Sequence, residues 1–215
     1  MRYRQAEAAL ALMRRAPVMP VLTVADVADA LEQAAALIAG GLPVMEVTLS
    51  GRVALKTMVV LVKAFPEAII GAGAIIETEQ IDAAIDAGAA FLTSPGMTPR
   101  LIEAAVRSPL PFLPGASSAS EAMALRERGF RALKFFPAEA AGGANYVASL
   151  AGPLPDLIFC PTGGVDMDKA KNYLALDNVA CVGGSWMLAP APGETRDFAC
   201  VEKLAREAFG LARRH

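Results

Sequence analysis

Short apolar, β-branched runs begin near Val18, Val44, Ala68, Ala90, Pro111, Arg131, Leu157 and Val179, at spacings of 26, 24, 22, 21, 20, 26 and 22 residues. The runs are nearly continuous in apolar residues, as expected of strands covered on both faces. Segments with helical periodicity fill the intervals, and several open on a recognisable cap. Asp26 precedes Val27, Thr98 precedes Pro99 at a first helical position, Ser118 with Glu121 makes a capping box, and Asp166 precedes Met167. Glycines stop the helices at Gly40–Gly41, Gly88 and Gly129. Strands alternating with helices predict right-handed βαβ units and a parallel sheet. Eight units in about 195 residues predict a (β/α)8 TIM barrel with an extra N-terminal helix. That helix spans about Arg4–Arg15 and is placed to close the bottom of the barrel; a final one spans about Arg196–Arg213. No linker, low-complexity stretch or charge block interrupts the 215 residues, so residues 1–215 are expected to form a single domain.

Composition narrows the function. The chain is 54% hydrophobic and 20% charged, with a formal charge of −2 and a mean hydropathy of +0.41. Near-neutral charge gives no electrostatic footprint for nucleic acid or an anionic membrane. The longest uncharged runs, Ala140–Pro155 and Asn178–Gly193, are 16 residues each and broken by glycines and prolines. Both fall short of the roughly 18 apolar residues of a spanning helix, and the N-terminus does not read as a signal peptide. Cys160, Cys181 and Cys200 have no CxxC spacing and read as buried, reduced thiols of a cytoplasmic protein. The single histidine, His215, is the last residue. Histidine acid/base schemes and histidine-rich metal sites therefore have nothing to work with, and no metal or cofactor is expected.

Barrel chemistry sits at the C-terminal ends of the strands. Two strands carry a charge there amid apolar neighbours: Glu46 in Val44–Leu49 and Lys134 in Arg131–Pro137. With a period of two, Glu46 shares a face with Val44 and Thr48, and Lys134 with Ala132 and Phe136. A charge on a doubly covered strand is costly unless paired or neutralised. One reading is a buried ion pair with no catalytic role. The more specific one is covalent chemistry. A desolvated lysine can attack a carbonyl to form a Schiff base, the iminium serves as an electron sink, and a nearby carboxylate moves the protons. Lysine and glutamate make a minimal set for a metal-free aldolase.

The seventh and eighth strands end in Pro161-Thr162-Gly163-Gly164 and Val182-Gly183-Gly184-Ser185. Loops after those two strands often bind phosphate through backbone N–H groups. Together they point to a phosphate or other oxyanion site. Gly71-Ala72-Gly73, Ser94-Pro95-Gly96 and Pro114-Gly115 complete a mouth of small residues.

On these residues the chain resembles the class I 2-keto-3-deoxy-6-phosphogluconate (KDPG) and 4-hydroxy-2-oxoglutarate (KHG) aldolases, over roughly Pro17 to Phe209. The blocks that carry the resemblance are Glu46-Val47-Thr48-Leu49, Ser94-Pro95-Gly96, Lys134 to Glu139, Phe159 to Gly164 and Gly183-Gly184-Ser185-Trp186. The resemblance implies Lys134 as the Schiff-base lysine and Glu46 as general acid/base. It implies Thr162 orienting substrate, Phe136 beside the imine, Pro95 among the substrate contacts, and Gly163, Gly164, Gly184 and Ser185 holding the phosphate. The implied reaction splits KDPG reversibly into pyruvate and glyceraldehyde 3-phosphate, and extends to KHG, which gives pyruvate and glyoxylate. The implied assembly is a homotrimer.

Two positions depart from the family pattern. An arginine usually follows the Glu-Val-Thr-Leu run, where this chain has Ser50, and a threonine usually follows Gly-Ala-Gly, where it has Ala74. Both contact the substrate carboxylate in the family. A charged hydrogen bond is worth about 1.5–3 kcal/mol, so weakened activity is expected. Arg52 is either a substitute anchor or a solvated residue of the next helix. That helix, 52–64, carries Val59 and Val60 where barrel helices usually face water, which predicts a subunit contact, of the trimer or of a larger assembly. Two rivals to a working aldolase follow. One is a phosphosugar lyase or isomerase using Lys134 and Glu46 without an imine. The other is a variant or engineered scaffold with blunted catalysis, whose main role is assembly. Lys134 as a pyridoxal phosphate lysine is weaker, since no aspartate or arginine is visibly placed to hold a pyridinium nitrogen.

Overall fold

The computed structural model describes residues 2–50, 53–189 and 196–212. It alternates strand and helix as the spacing predicts. A leading helix α1 (Arg2–Met13) is followed by β1 (Val18–Leu22), α2 (Val27–Ala39), β2 (Val44–Thr48), α3 (Ala54–Ala64), β3 (Ile69–Gly73) and α4 (Glu79–Asp86). Next come β4 (Leu92–Thr93), α5 (Pro99–Arg107), β5 (Phe112–Leu113), β6 (Gly115–Ala116), α6 (Ala119–Glu127) and β7 (Ala132–Phe135). The rest is α7 (Gly143–Ser149), β8 (Ile158–Pro161), α8 (Met167–Leu174), β9 (Val182–Gly184), a 3-10 turn at Trp186–Leu188 and α9 (Phe198–Phe209).

The strand pairings are parallel, in the orders β5-β4-β3-β2-β1-β9 and β6-β7-β8. Single parallel bridges, Phe159 to Val179 and Thr162 to Gly183, link the second sheet to the segment around β9. Only Pro114 separates β5 from β6. One expected strand is thus two short segments, because proline has no N–H to give the ladder; its carbonyl still accepts from Lys134 N at 3.0 Å. The result is an α/β fold on a curled parallel sheet.

The expected caps are present. Asp26 accepts from Asp29 N, Thr98 from Leu101 N, Ser118 from Glu121 N, and Asp166 from Asp168 N and Lys169 N. The capping box differs in one detail: Glu121 reaches past the cap residue to Ser117 N at 2.7 Å. The first and last helices are shorter or shifted relative to the expected 4–15 and 196–213, since Asp197 caps α9 and Gly210 ends it.

Two apolar clusters lie on opposite faces of the sheet. The outer one packs helices against Met45, Val47, Leu133, Phe135 and Phe159. In the inner one, α1 contributes Ala9, Leu12 and Met13, which pack with Met19, Val44, Leu113, Ala132, Cys160 and Cys181. Thus α1 covers the inner face near the start of the strands. Two residues further along each strand, on the same face, lie Glu46, Lys134 and Thr162. The expected set of three buried thiols is corrected at Cys200, which is exposed on α9 while Cys160 and Cys181 are buried. Position 200 falls on the polar side of an amphipathic helix whose buried residues are Val201, Ala205 and Ala208.

Candidate active site

Glu46 and Lys134 are separated by 88 residues and meet on the inner face of the sheet. Their strand neighbours Met45, Val47, Leu133 and Phe135 point to the outer cluster, so the alternation of the strand turns the two charges inward. Lys134 Nζ lies 2.8 Å from Glu46 Oε1 and 2.9 Å from Oε2, and donates to Thr93 Oγ1 at 3.4 Å. Glu46 is 2% exposed and Lys134 6%. The ammonium has three protons and three oxygen acceptors, which is what a buried pair needs to offset its desolvation. Lys134 Nζ also stands 5.8 Å from the centre of the Phe136 ring.

Thr162 follows β8 and is buried beside the pair's strand. Its hydroxyl donates to the Cys160 carbonyl at 3.2 Å. Its bridge partner Gly183 has no side chain for good reason: a β-carbon there would lie 2.2 Å from Thr162 Oγ1. This pairing sets the Gly163–Gly164 turn beside Gly184 and Ser185. Gly163 and Gly164 have φ of 104° and 77°, values L side chains rarely adopt.

Three consecutive carbonyls of that turn are held on one side. Ala138 N donates to Thr162 O at 2.8 Å, Glu139 N to Gly163 O at 3.1 Å, and Lys169 Nζ to Gly164 O at 2.9 Å. In a planar trans peptide the N–H opposes the C=O. The amides of Gly163, Gly164 and Val165 therefore point away from Ala138, Glu139 and Lys169, and successive amides of this kind make an anion-binding concavity.

Pro95 is placed by Ser94 and Gly115. The buried Ser94 hydroxyl accepts from Gly115 N at 3.0 Å and donates to Met97 Sδ at 2.9 Å. A β-carbon on Gly115 would meet the Pro95 carbonyl carbon at 2.3 Å, and Gly115 pairs in register with Lys134. Pro95, in the loop after β4, thus packs against the strand next to the lysine's. Ser50 and Ala74 lie just beyond the Thr48–Gly73 pair on adjacent strands. Ser50 is exposed and its amide donates to Thr48 O at 2.8 Å. Ala74 has φ +57°, the one positive-φ residue other than glycine among the described residues. Arg52 lies outside the described residues.

Sequence reasoning missed Thr93, which contacts the lysine and follows the inward-facing Phe91 by two residues. The polar-in-strand rule that finds Glu46 applies to it, although threonine is ordinary in a strand. On α3, Val59 packs partly against the core and Val60 is half-buried, while the large apolar residues exposed there are Leu55 and the N-cap residue Val53. No helix among the described residues is long and apolar enough to cross a membrane.

Comparison with known proteins shows the family. Residues 10–204 match the family model described as KDPG and KHG aldolase. The chain is 44% identical to the 2-dehydro-3-deoxy-phosphogluconate aldolase of Pseudomonas aeruginosa, over 95% of this chain and 94% of that protein. It is 42% identical to the KHG/KDPG aldolase of Escherichia coli, over 92% of each. A crystal structure of KDPG aldolase from Legionella pneumophila, with pyruvate captured at low pH as a covalent carbinolamine intermediate, superposes with a TM-score of 0.90. It is 40% identical and the match covers 94% of this chain and 98% of that one.

Proposed function

The chain belongs to the KDPG and KHG aldolase family, and from that premise we infer that it is a class I aldolase cleaving KDPG to pyruvate and glyceraldehyde 3-phosphate. Cleavage of KHG to pyruvate and glyoxylate uses the same steps. The observation that carries the reading is the buried Lys134–Glu46 pair, with a 2.8 Å path for a proton between the two side chains.

In this reading Lys134 gives a proton to Glu46, and the neutral amine attacks C2 of the keto acid. The carbinolamine loses water, with Glu46 returning the proton to the departing oxygen, and an iminium remains. Glu46 then takes the proton of the C4 hydroxyl. The C3–C4 bond breaks, its electrons pass into the iminium, and the aldehyde leaves an enamine behind. Glu46 protonates the enamine at C3, and hydrolysis of the iminium frees pyruvate and the lysine. Thr93, as a hydrogen-bond acceptor on Nζ, and Phe136, beside it, hold the amine in place. Thr162 orients the substrate with Pro95. Gly163 and Gly164 bind the phosphate through the concavity of amides described above, and Gly184 and Ser185 bind it from the end of β9.

The finer architecture in this reading is one (β/α)8 barrel domain. Its support is the chain of parallel pairings, continued past Pro114 and from β8 to β9 by the two bridges. We place it in the cytoplasm as a homotrimer, the latter supported by the exposed Val53 and Leu55 at the start of α3. Activity weakened at the carboxylate end by Ser50 and Ala74 is part of the same proposal. Borohydride reduction in the presence of pyruvate, followed by mass analysis, tests the mechanism. A covalent adduct on Lys134 is expected, and a reduced protein of unchanged mass that still cleaves KDPG would overturn it.

A further inference from the structure

We propose that Lys169, held by Glu139 and Asp166, is a positioning residue for the substrate phosphate and sets the preference for phosphorylated over unphosphorylated substrates. The inference rests on the assignment of the Gly163–Gly164 turn to the phosphate.

The turn's first two carbonyls are held by backbone amides, those of Ala138 and Glu139, but the third has only a side chain. Lys169 Nζ donates to Gly164 O at 2.9 Å and stands 3.3 Å from Asp166 Oδ2 and 3.6 Å from Glu139 Oε2. Three ammonium protons meet three oxygens. Each of those anchors is itself fixed. Asp166 caps α8, accepting from Asp168 N and Lys169 N at 3.1 and 2.9 Å. Glu139 Oε1 accepts from the Tyr173 hydroxyl at 2.6 Å, and Tyr173 is buried. Burial first, and then the hydrogen bond to the Glu139 carboxylate, push the Tyr173 phenol above its ordinary value, so it stays a donor at neutral pH. The Glu139 side chain also lies against the turn: a β-carbon on Gly164 would come within 2.9 Å of its Cβ and Cγ.

Removing the Lys169 cation has two consequences at the turn. The Gly164 carbonyl loses its side-chain partner, so the Gly164–Val165 peptide is free to rotate and withdraw the Val165 amide from the anion. Two carboxylates, Glu139 and Asp166, are also left without their shared cation behind a phosphate. Both effects act on the dianionic end of the substrate and neither reaches Lys134.

The experiment compares KDPG with KHG, which has the same keto-acid half and no phosphate. Lys169→Met is expected to raise KM for KDPG by about five- to tenfold, with kcat within about twofold and the KHG parameters little altered. Lys169→Arg, which can still span the carbonyl and a carboxylate, is expected to restore most of the loss. Glu139→Gln, which keeps an oxygen acceptor for Tyr173, is expected to shift KM for KDPG in the same direction but less. Reduction onto Lys134 with pyruvate, a ligand without phosphate, reports that each variant has folded. Equal losses on both substrates, or no change in Lys169→Met, would overturn the proposal. Ser185→Ala separates that failure from failure of the phosphate site. If it discriminates between the substrates while Lys169→Met does not, only the positioning role is lost; if neither does, the phosphate assignment falls as well.

Discussion

A β-carbon on Gly73 would lie 2.0 Å from Glu46 Oε1 and 2.3 Å from its Cδ, so the carboxylate occupies the space that any other residue at position 73 would fill. Strand β3 is thus the wall that presses Glu46 towards Lys134. The colliding atoms belong to a side chain rather than to backbone, so the strand can keep its path while the carboxylate is pushed off Lys134. Gly73→Ala is therefore expected to fold, with a melting temperature lowered by the disturbed pair, and to lose activity by about 10²-fold or more, the scale of a misplaced acid/base group. Steady-state kinetics beside a thermal melt check it. A variant with full activity would mean that Glu46 does not need its present position.

Removing the lysine tests the other half of the pair. Lys134→Met keeps the length and the apolar stem but leaves the Glu46 carboxylate buried without its cation. Breaking such a pair from one side costs about 3–5 kcal/mol, whereas replacing both partners can be nearly neutral. Denaturant unfolding should show that loss in Lys134→Met and recovery of most of it in the double variant Lys134→Met, Glu46→Leu. Neither variant should form an adduct with pyruvate on reduction.

Much of this site was legible because buried charge is anomalous in a strand. Glu46 and Lys134 each interrupt an apolar run, and the period of two then places them on the same inward face as the residues α1 covers. The starts of β1 and β2 coincide with Val18 and Val44, where β-branched runs begin cleanly. Thr93 escaped because threonine in a strand breaks no pattern, whichever face it takes. Pro114 was visible, but whether it ends a strand or splits one depends on which neighbour needs the missing N–H. Lys169 was illegible for a different reason. A lysine in the first turn of an amphipathic helix looks like a solvated residue, and only the folded chain brings it to the carbonyl of Gly164. The exposure of Cys200 was readable from the α9 periodicity, had the thiols been judged by helix face rather than by residue type.

The cap of α6 makes stability depend on acid. Partial burial pushes the Glu121 carboxyl up, but the Ser117 amide and the Ser118 and Ser117 hydroxyls outweigh it and hold the group below its ordinary value. A carboxyl lowered on folding contributes stability above its unfolded value, near 4.3, and loses it as the pH falls through the lower folded value. Glu121→Gln should therefore be less stable than the parent at pH 7 by about 0.5 kcal/mol, a figure kept small by the group's exposure. The difference should shrink as the pH drops from 5 towards 3. Paired melts at the two ends of that range measure it, and a constant gap would show that the cap does not depend on charge.

The keto-acid end offers the complementary test to Lys169. Ser50 and Ala74 stand at the ends of neighbouring strands, just past the Thr48–Gly73 pair, where the family pattern has an arginine and a threonine. Restoring the threonine is the poorer choice, because Ala74 holds φ +57° and a β-branched residue tolerates that conformation badly. Arginine at the exposed position 50 carries no such penalty. Ser50→Arg should lower KM by about tenfold, the worth of one charged hydrogen bond in a partly solvated site. Both KDPG and KHG possess the carboxylate, so the gain should be equal on the two substrates, whereas Lys169→Met acts on the phosphorylated one alone. A KM unchanged on both would mean that another group of this chain already holds the carboxylate, and that Ser50 marks a relocated anchor rather than a weakened site.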